Sequence, residues 1–411
     1  MIWCVYLALA ALGYTYFGYP VLLGLLARLR RRRISPAREA EARGAPVPRI
    51  SVLLPAFNAA LFLPKKLESL LDQDYPSDHV EILIYCDGCT DDTEAVARRI
   101  AATEAAGGRI IVLADQRRLG KPTGLNVLSA RATGELLLLN DVRQPLSATA
   151  ISRLAAGLKD PKVGCTTGRL RLVGAAGSGV YWRYEEWIRR QESQFRGMVG
   201  MTGPIAMVRR ADFVPLPPDV VIDDVWLPMQ QVLRGKRVML VPEAEAHDAA
   251  LGDDHEFRRK VRTLAGNYQL FARMPRLLIP FVNPIWFETF SHKIMRLVAP
   301  WMLLVLAVAS VTGALTEAGP GAFQMRGLAL IQLAFYGAAA LGGAGGRLAG
   351  VARTFVVLNV AAVVGLWRFA TGKQRVTWST GRETPARSDV LDANVKGDGH
   401  HERDLQPRDE Q

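Results

Sequence analysis

Cysteine is scarce in this chain, at four among 411 residues. That excludes a disulfide-stapled secreted scaffold. Histidine is almost as rare, at six, and the pair Cys86-x-x-Cys89 has no second Cys/His pair to complete a zinc site. A small-residue role for Cys89 is preferred to a redox one. Charged residues make up 22% and hydrophobic ones 49%. The composition therefore lacks the charge excess of a disordered protein and can fill a sizeable core. No internal repeat is visible. The stretch Met1–Ala27 lacks charge altogether and is long enough to cross a hydrocarbon core of about 30 Å. Arg28, Arg30, Arg31, Arg32 and Arg33 follow it directly. A cleavable signal peptide has the opposite order of charge and apolar run. Residues 1–33 are thus expected to be a retained transmembrane anchor, N-terminus out, with a basic stop. The net charge of +12 would also suit nucleic acid. An arginine cluster abutting a membrane-length apolar run belongs to a lipid surface instead, and nucleic acid is not an expected partner.

Three further apolar runs lie towards the C-terminus: Leu297–Leu315, Gly327–Gly343 and Val351–Phe369. His292, Lys293 and Arg296 precede the first as interface anchors, and Trp286, Phe287 and Phe290 suit the headgroup zone. Residues 276–372 are expected to hold an interfacial segment and about three membrane helices. The implied location is the cell membrane, multi-pass, with the intervening domain in the cytoplasm. An outside N-terminus plus three later spans would put the tail outside. Arg368, Lys373, Arg375 and Arg382 argue for inside, and the sequence leaves both open. Residues 34–49 form a polar linker, and 373–411 a charged tail that is not expected to fold.

Between them, residues 50–275 have the pattern of a water-soluble α/β domain. Ile50–Leu54, Val80–Tyr85, Arg109–Leu113 and Glu135–Leu139 are expected strands, alternating with helices over Leu61–Gln73 and Asp91–Ala106. Such alternation predicts parallel βαβ units in a doubly wound sheet. Ligands bind such sheets at the carboxyl ends of strands. There stand Pro55 and Asn58 after the first strand, Asp87 after the second and Asp141 after the fourth. A carboxylate so placed can hold a base, a ribose or a divalent cation on a diphosphate. Lys121, in a glycine-flanked segment, could bring a point charge to a phosphate. Asp91 and Asp92 are read as helix caps. The pair Asp223-Asp224 precedes an apolar run, and Arg259 and Arg262 share one helix face. The plainer alternatives are an exposed N-cap pair and a basic membrane-facing helix.

In order, PAFN, DGCTDD, GKPTGLN, an acidic strand end, GPIAMVRRADF, DDVWLP…RGKRV and RRKVRT resemble the membrane-bound family-two inverting glycosyltransferases. Cellulose, hyaluronan and poly-N-acetylglucosamine synthases belong to that family. The resemblance runs from Ile50 to Phe271. It implies a GT-A, Rossmann-like fold and a nucleotide-sugar donor, usually a UDP-sugar. It implies that Asp87 contacts the base and that Pro55, Asn58 and Lys121 belong to the donor side. Asp141 matches the first Asp of the D-x-D motif, which binds Mg or Mn and the diphosphate. Asp224 matches the catalytic base of T-E-D, with Asp223 in place of its Glu. Arg259 and Arg262 match Q-x-x-R-W, and Gly203–Arg210 the acceptor-facing segment, with Gly203 and Asp223 on that side. Three departures stand out. Arg143 replaces the second Asp of D-x-D, so the divalent cation loses a usual ligand. Asp223 is shorter than Glu. Thr263 replaces the Trp that serves the acceptor in processive enzymes. Tyr181–Glu192 has the pattern of an amphipathic helix, near the membrane or packed on the domain.

The implied activity is transfer of a sugar to a hydroxyl acceptor, for a surface polysaccharide. Single-sugar transfer to a lipid is the alternative within enzymes, and a non-catalytic nucleotide sensor the alternative outside them. A polysaccharide or lipid acceptor, membrane lipids and an export or envelope protein are the partners this reading allows.

Overall fold

The computed structural model describes residues 2–30, 47–173, 179–249 and 253–377. Most of the expected 34–49 linker and the tail beyond 377 lie outside the described residues. Strand β1 (Ile50–Ala56) is buried along its whole length, as a strand covered on both faces must be. It lies between β2 (Val80–Asp87) and β4 (Leu136–Asn140), with β3 (Ile110–Asp115) beyond β2, and all four run parallel. Side chains alternate across this sheet with period two. Val52, Leu54, Ile82, Ile84 and Leu138 enter one core, while Leu53, Leu83, Leu137 and Leu139 enter the other. Helix α1 (Ile2–Leu29) precedes the domain, and the helices connecting these strands are α2 (Leu63–Leu71), α3 (Thr93–Ala101) and α4 (Lys121–Arg131).

The parallel βαβ units expected from the sequence are present in β1 to β4, and the sheet continues beyond them. Three more strands, β5 (Val163–Val173), β6 (Ile205–Arg209) and β7 (Arg237–Ala249), extend it to seven in the order β3-β2-β1-β4-β6-β5-β7. β6 runs antiparallel to both neighbours. Its apolar run reads the same in either direction, so periodicity could not reveal this. The reversal has a consequence for function. Asn140, at the end of β4, pairs with Ile205, at the start of β6. The segment entering β6 therefore meets the carboxyl edge of the parallel strands. Helices α5 (Ala150–Gly157), α6 (Gly179–Phe195), α7 (Asp223–Leu233) and α8 (Asp253–Arg273) complete the domain.

Among the described residues, three helical stretches are long and apolar enough to cross a membrane: α1, α9 (Trp286–Thr316) and Pro320–Ala370. The last is divided at Gly342–Gly345 into α10 (Pro320–Leu341) and α11 (Gly346–Ala370). These two fold back on each other, bringing the Phe335 and Phe355 rings to 5.7 Å. Gly342 and Gly346 take positive φ at the reversal, which favours glycine. Phe323, Leu330, Ile331 and Leu333 face outward, an arrangement suited to lipid rather than water.

Core position and edge should differ sharply in sensitivity. Leu138→Ala, in a fully buried central strand, is expected to cost about 2–5 kcal/mol. Ile111→Ala, on the edge strand and substantially exposed, should cost less than about 1 kcal/mol. Thermal unfolding of the full chain in detergent micelles checks both.

Candidate active site

The acidic strand ends converge as the topology requires. Lys121, the first residue of α4, places its ammonium 2.9 Å from Asp141 Oδ1 and 2.9 Å from Asp223 Oδ2. One cation thereby ties the end of β4 to the start of α7. Lys121 is raised above the ordinary lysine range: burial works to lower it, but Asp141 and Asp223 outweigh burial. For Asp141, burial works upward, but Lys121, with Lys66 and Arg143 behind it, holds the carboxyl below its usual range.

Asp224 is the next residue of α7 and behaves in the opposite way. Burial and the neighbouring Asp223 charge raise its pKa, against Lys121, Lys293 and Arg262. Its backbone oxygen accepts a hydrogen bond from Met201 N at 2.8 Å. A Cβ on Gly203 would come within 3.6 Å of its Oδ2. The segment leading into β6 thus presents bare backbone beside this carboxylate. A carboxylate of raised pKa holds a proton more strongly than a free one and so suits proton transfer.

Asp87 is fully buried, and its two oxygens accept Leu119 N at 2.7 Å and Gly120 N at 2.9 Å. It holds the turn that delivers Lys121. Asn58, at φ +43°, exchanges bonds with Thr90, donating Nδ2 to Thr90 Oγ1 at 2.9 Å and accepting Thr90 N at 2.8 Å. Pro55 packs beneath Gly124 of α4. The arginines of α8 separate. Arg262 donates to Val221 O at 2.8 Å, and its Nε is buried without a hydrogen-bond partner among the described residues. Arg259 pairs instead with Glu256 one turn earlier, at 2.8 Å.

Arg143, in the second D-x-D position, is bound to Asp248 at 2.5 Å, and Gln144 Nε2 donates to the same oxygen at 2.8 Å. Among the described residues no three His, Cys, Asp or Glu side chains converge as a metal site. Asp141 is left as the only carboxylate of that motif, and Lys121 already occupies it. The residues do not fit a divalent cation held by the protein alone. Thr263, at the expected Trp position, bonds back to Arg259 O at 3.0 Å.

Sequence reasoning missed several neighbours of this site. Lys66 is fully buried and donates to Gln144 O at 2.5 Å. Burial pushes its amine down to about 7, against the pull of Asp141. Val376, beyond the last helix, packs against Gly120 and accepts a bond from Arg262 at 3.4 Å. No local motif signals either. The Glu256–Arg259 pair could have been found from its i, i+3 spacing.

The mixed sheet with its acidic carboxyl edge has the GT-A fold. A mannosyltransferase from Pyrobaculum calidifontis, solved in complex with GDP-Man and Mn2+, shares that fold at a TM-score of 0.71. The match covers 90% of this chain and 99% of that one, at 23% identity. Residues 51–214 match the family model Glycosyl transferase family 2. An N-acetylglucosaminyltransferase of Rhizobium leguminosarum bv. viciae is 28% identical over 197 residues, 46% of this chain and 45% of the relative. One of Rhizobium meliloti is 29% identical over 182 residues, 42% and 41% respectively. These matches span less than half the length of the relatives.

The charges around Asp224 set the sign of two shifts. Asp223→Asn removes an anion that raises Asp224, so the acid limb of any activity that needs Asp224 ionised should move to lower pH. Lys121→Gln removes a cation that lowers it, so the limb should move to higher pH. Initial rates against pH for each variant measure this.

Proposed function

We propose that the protein is an integral-membrane inverting glycosyltransferase. It moves a sugar from a nucleotide-sugar, a UDP-sugar by the family resemblance, to a hydroxyl acceptor. The observation that carries this reading is the opposition of two carboxylates. Asp141 is held ionised by Lys121 at the strand edge, and Asp224 has a raised pKa beside the open backbone at Gly203. The names of the rhizobial relatives support an N-acetylhexosamine as the sugar moved.

Asp224 takes the proton of the acceptor hydroxyl as that oxygen bonds to the anomeric carbon. The bond from that carbon to the diphosphate oxygen breaks, its electron pair leaves with the nucleoside diphosphate, and the configuration inverts. The leaving charge is met by Lys121 and by the unpartnered Arg262 Nε. Asp87, by ordering the 119–121 turn, positions Lys121 for this. Arg259 is set aside from the donor role by its pairing with Glu256. The apolar helices support membrane attachment, with the domain on the cytoplasmic face. A nucleotide sensor would have no use for a base on the acceptor side, and Asp224 weighs against that alternative. Thr263, folded back on its own helix, weighs against a stacking platform for a growing polymer and favours transfer of single sugars.

Asp224→Asn is expected to lower transfer by about 10²–10⁴-fold while leaving nucleotide binding within about twofold. The check is transfer from a panel of radiolabelled nucleotide-sugars by membranes containing the full chain, with nucleotide affinity measured alongside. Equal loss of binding and transfer would assign Asp224 to the donor pocket instead of to proton transfer.

A further inference from the structure

The apolar helices pack in two layers. Val5 and Ala8, near the start of α1, share a cluster with Leu306 and Ala309 of α9 and Met325 of α10. Tyr19, Leu23 and Ala27, near the end of α1, share another with Ile188 and Phe195, which lie on α6 of the domain. The second cluster marks the domain's side of these helices, and the first marks the far side. Helix α9 follows the same division. It starts at the domain, where Glu288 binds Arg196 at 2.7 Å, and has reached the far layer by Leu306. The helix between Glu288 and Leu306 is roughly 27 Å long by its residue rise, close to the thickness of a hydrocarbon core.

Helix α10 begins in the far layer. A Cβ on Gly313 of α9 would come 2.6 Å from Met325 Cγ, and Arg326 donates to Ala314 O at 3.2 Å. Helix α11 ends on the domain. It packs along α8, so closely at Gly365 that a Cβ there would stand 3.0 Å from Ala265 N and 3.1 Å from Leu264 Cβ. One turn later the Phe369 ring lies over Tyr268, with centroids 6.3 Å apart and planes at 16°. Helix α8 is itself part of the domain, since its Leu270 and Phe271 enter the core that holds Leu53 and Leu137 of the central strands. Past α11 the chain reaches the donor side of the site, where Val376 meets Gly120 and Arg262.

The basic residues are distributed in the same way. Arg28 and Arg30 stand at the end of α1, His292, Lys293 and Arg296 in the first turns of α9, and Arg368, Lys373 and Arg375 at the end of α11. From residue 297 to 325, which covers the far end of α9 and its turn into α10, there is no Lys or Arg. Such one-sided gathering of Lys and Arg marks the cytoplasmic side of a helix bundle. If α10 and α11 were two separate crossings, Arg368, Lys373 and Arg375 would lie on the far side. That arrangement conflicts with this distribution and with the contacts of Gly365, Phe369 and Val376.

We infer that the chain crosses the membrane three times, by α1, by α9, and by α10 and α11 taken together, and that residue 377 lies on the same side as the catalytic domain. The glycine reversal at 342–345 bends the last stretch without adding a crossing. This deepens the proposed function and rests on its membrane attachment. The domain is held by the apolar helices at two places, at α6 through α1 and at α8 through α11. The last crossing also returns the chain to the donor side, which is what sets Val376 beside Gly120 and Arg262.

The test uses the full chain in intact cells, with Cys4 and Cys89 replaced by serine and the buried Cys86 and Cys165 retained. Single cysteines are introduced by Ala105→Cys in the domain, Ala318→Cys in the α9–α10 turn or Thr371→Cys after α11, all exposed positions. A membrane-impermeant maleimide should label the Ala318 variant directly, and the Ala105 and Thr371 variants only after permeabilisation. A Thr371 variant labelled like the Ala318 variant would overturn the crossing count and leave membrane attachment standing. Three variants labelled alike would overturn both. In isolated membranes, Leu264→Cys combined with Gly365→Cys should form a disulfide on mild oxidation with copper phenanthroline, because the two Cβ positions lie near the ~3.8 Å typical of that bond. Either substitution alone should give no cross-link. A double variant that elutes from detergent as one folded species without cross-linking would overturn the docking of α11 on α8.

Discussion

The site depends on one ammonium group. Lys121 joins a carboxylate from the parallel half of the sheet to one from the helix that follows the antiparallel strand, at 2.9 Å each. A buried lysine with one anion barely recovers its desolvation, whereas two anions hold it charged. Replacing either carboxylate would leave the other two groups in a poorer balance. Asp87 contributes from below, using both oxygens to hold the turn that starts α4. The second strand end thus acts on the fourth through backbone amides, and nothing in that linkage requires Asp87 to touch a ligand itself.

The same economy joins the domain to its apolar helices. Glu192, at the end of α6, accepts from Tyr19 of α1 and meets His292 of α9. Arg196, one residue beyond α6, binds Glu288 of α9 at 2.7 Å. Both Glu192 bonds fall on Oε1, so one buried carboxylate oxygen ties α6 to α1 and to α9. These bonds therefore fix where α6 and the start of α9 lie relative to one another.

How much of this was legible in the sequence follows from the range of each interaction. The first four strands are continuous apolar runs closed by a polar residue, and period and punctuation suffice to find them. Asp141 and Asp224 follow from standing at such ends and from the resemblance their motifs carry. The direction of β6 is not legible, since Ile205–Arg209 would read alike in a parallel strand. Nor is the burial of Lys66, whose partners Gln144 and Asp141 lie more than seventy residues away in sequence. In the sequence, His292, Lys293 and Arg296, which lie within the first turns of α9, read as lipid anchors. That reading was incomplete, because His292 and Arg296 are consumed by glutamates of α6.

Arg143 shows why a changed motif must be read together with its new partner. Asp248, on β7, is buried and needs a counter-charge, which Arg143 supplies, while Gln144 Nε2 adds a hydrogen bond to the same oxygen. An aspartate at 143 would set two carboxylates against each other there, so the exchange of sign at 143 and the presence of Asp248 are one feature. The guanidinium is thereby engaged at the β7 side of the strand end. The cations left for a diphosphate are Lys121, already committed to two carboxylates, and Arg262, with a free Nε. Positive charge in this site has moved from the β4 loop to helices α4 and α8, and a donor must be gripped from those helices.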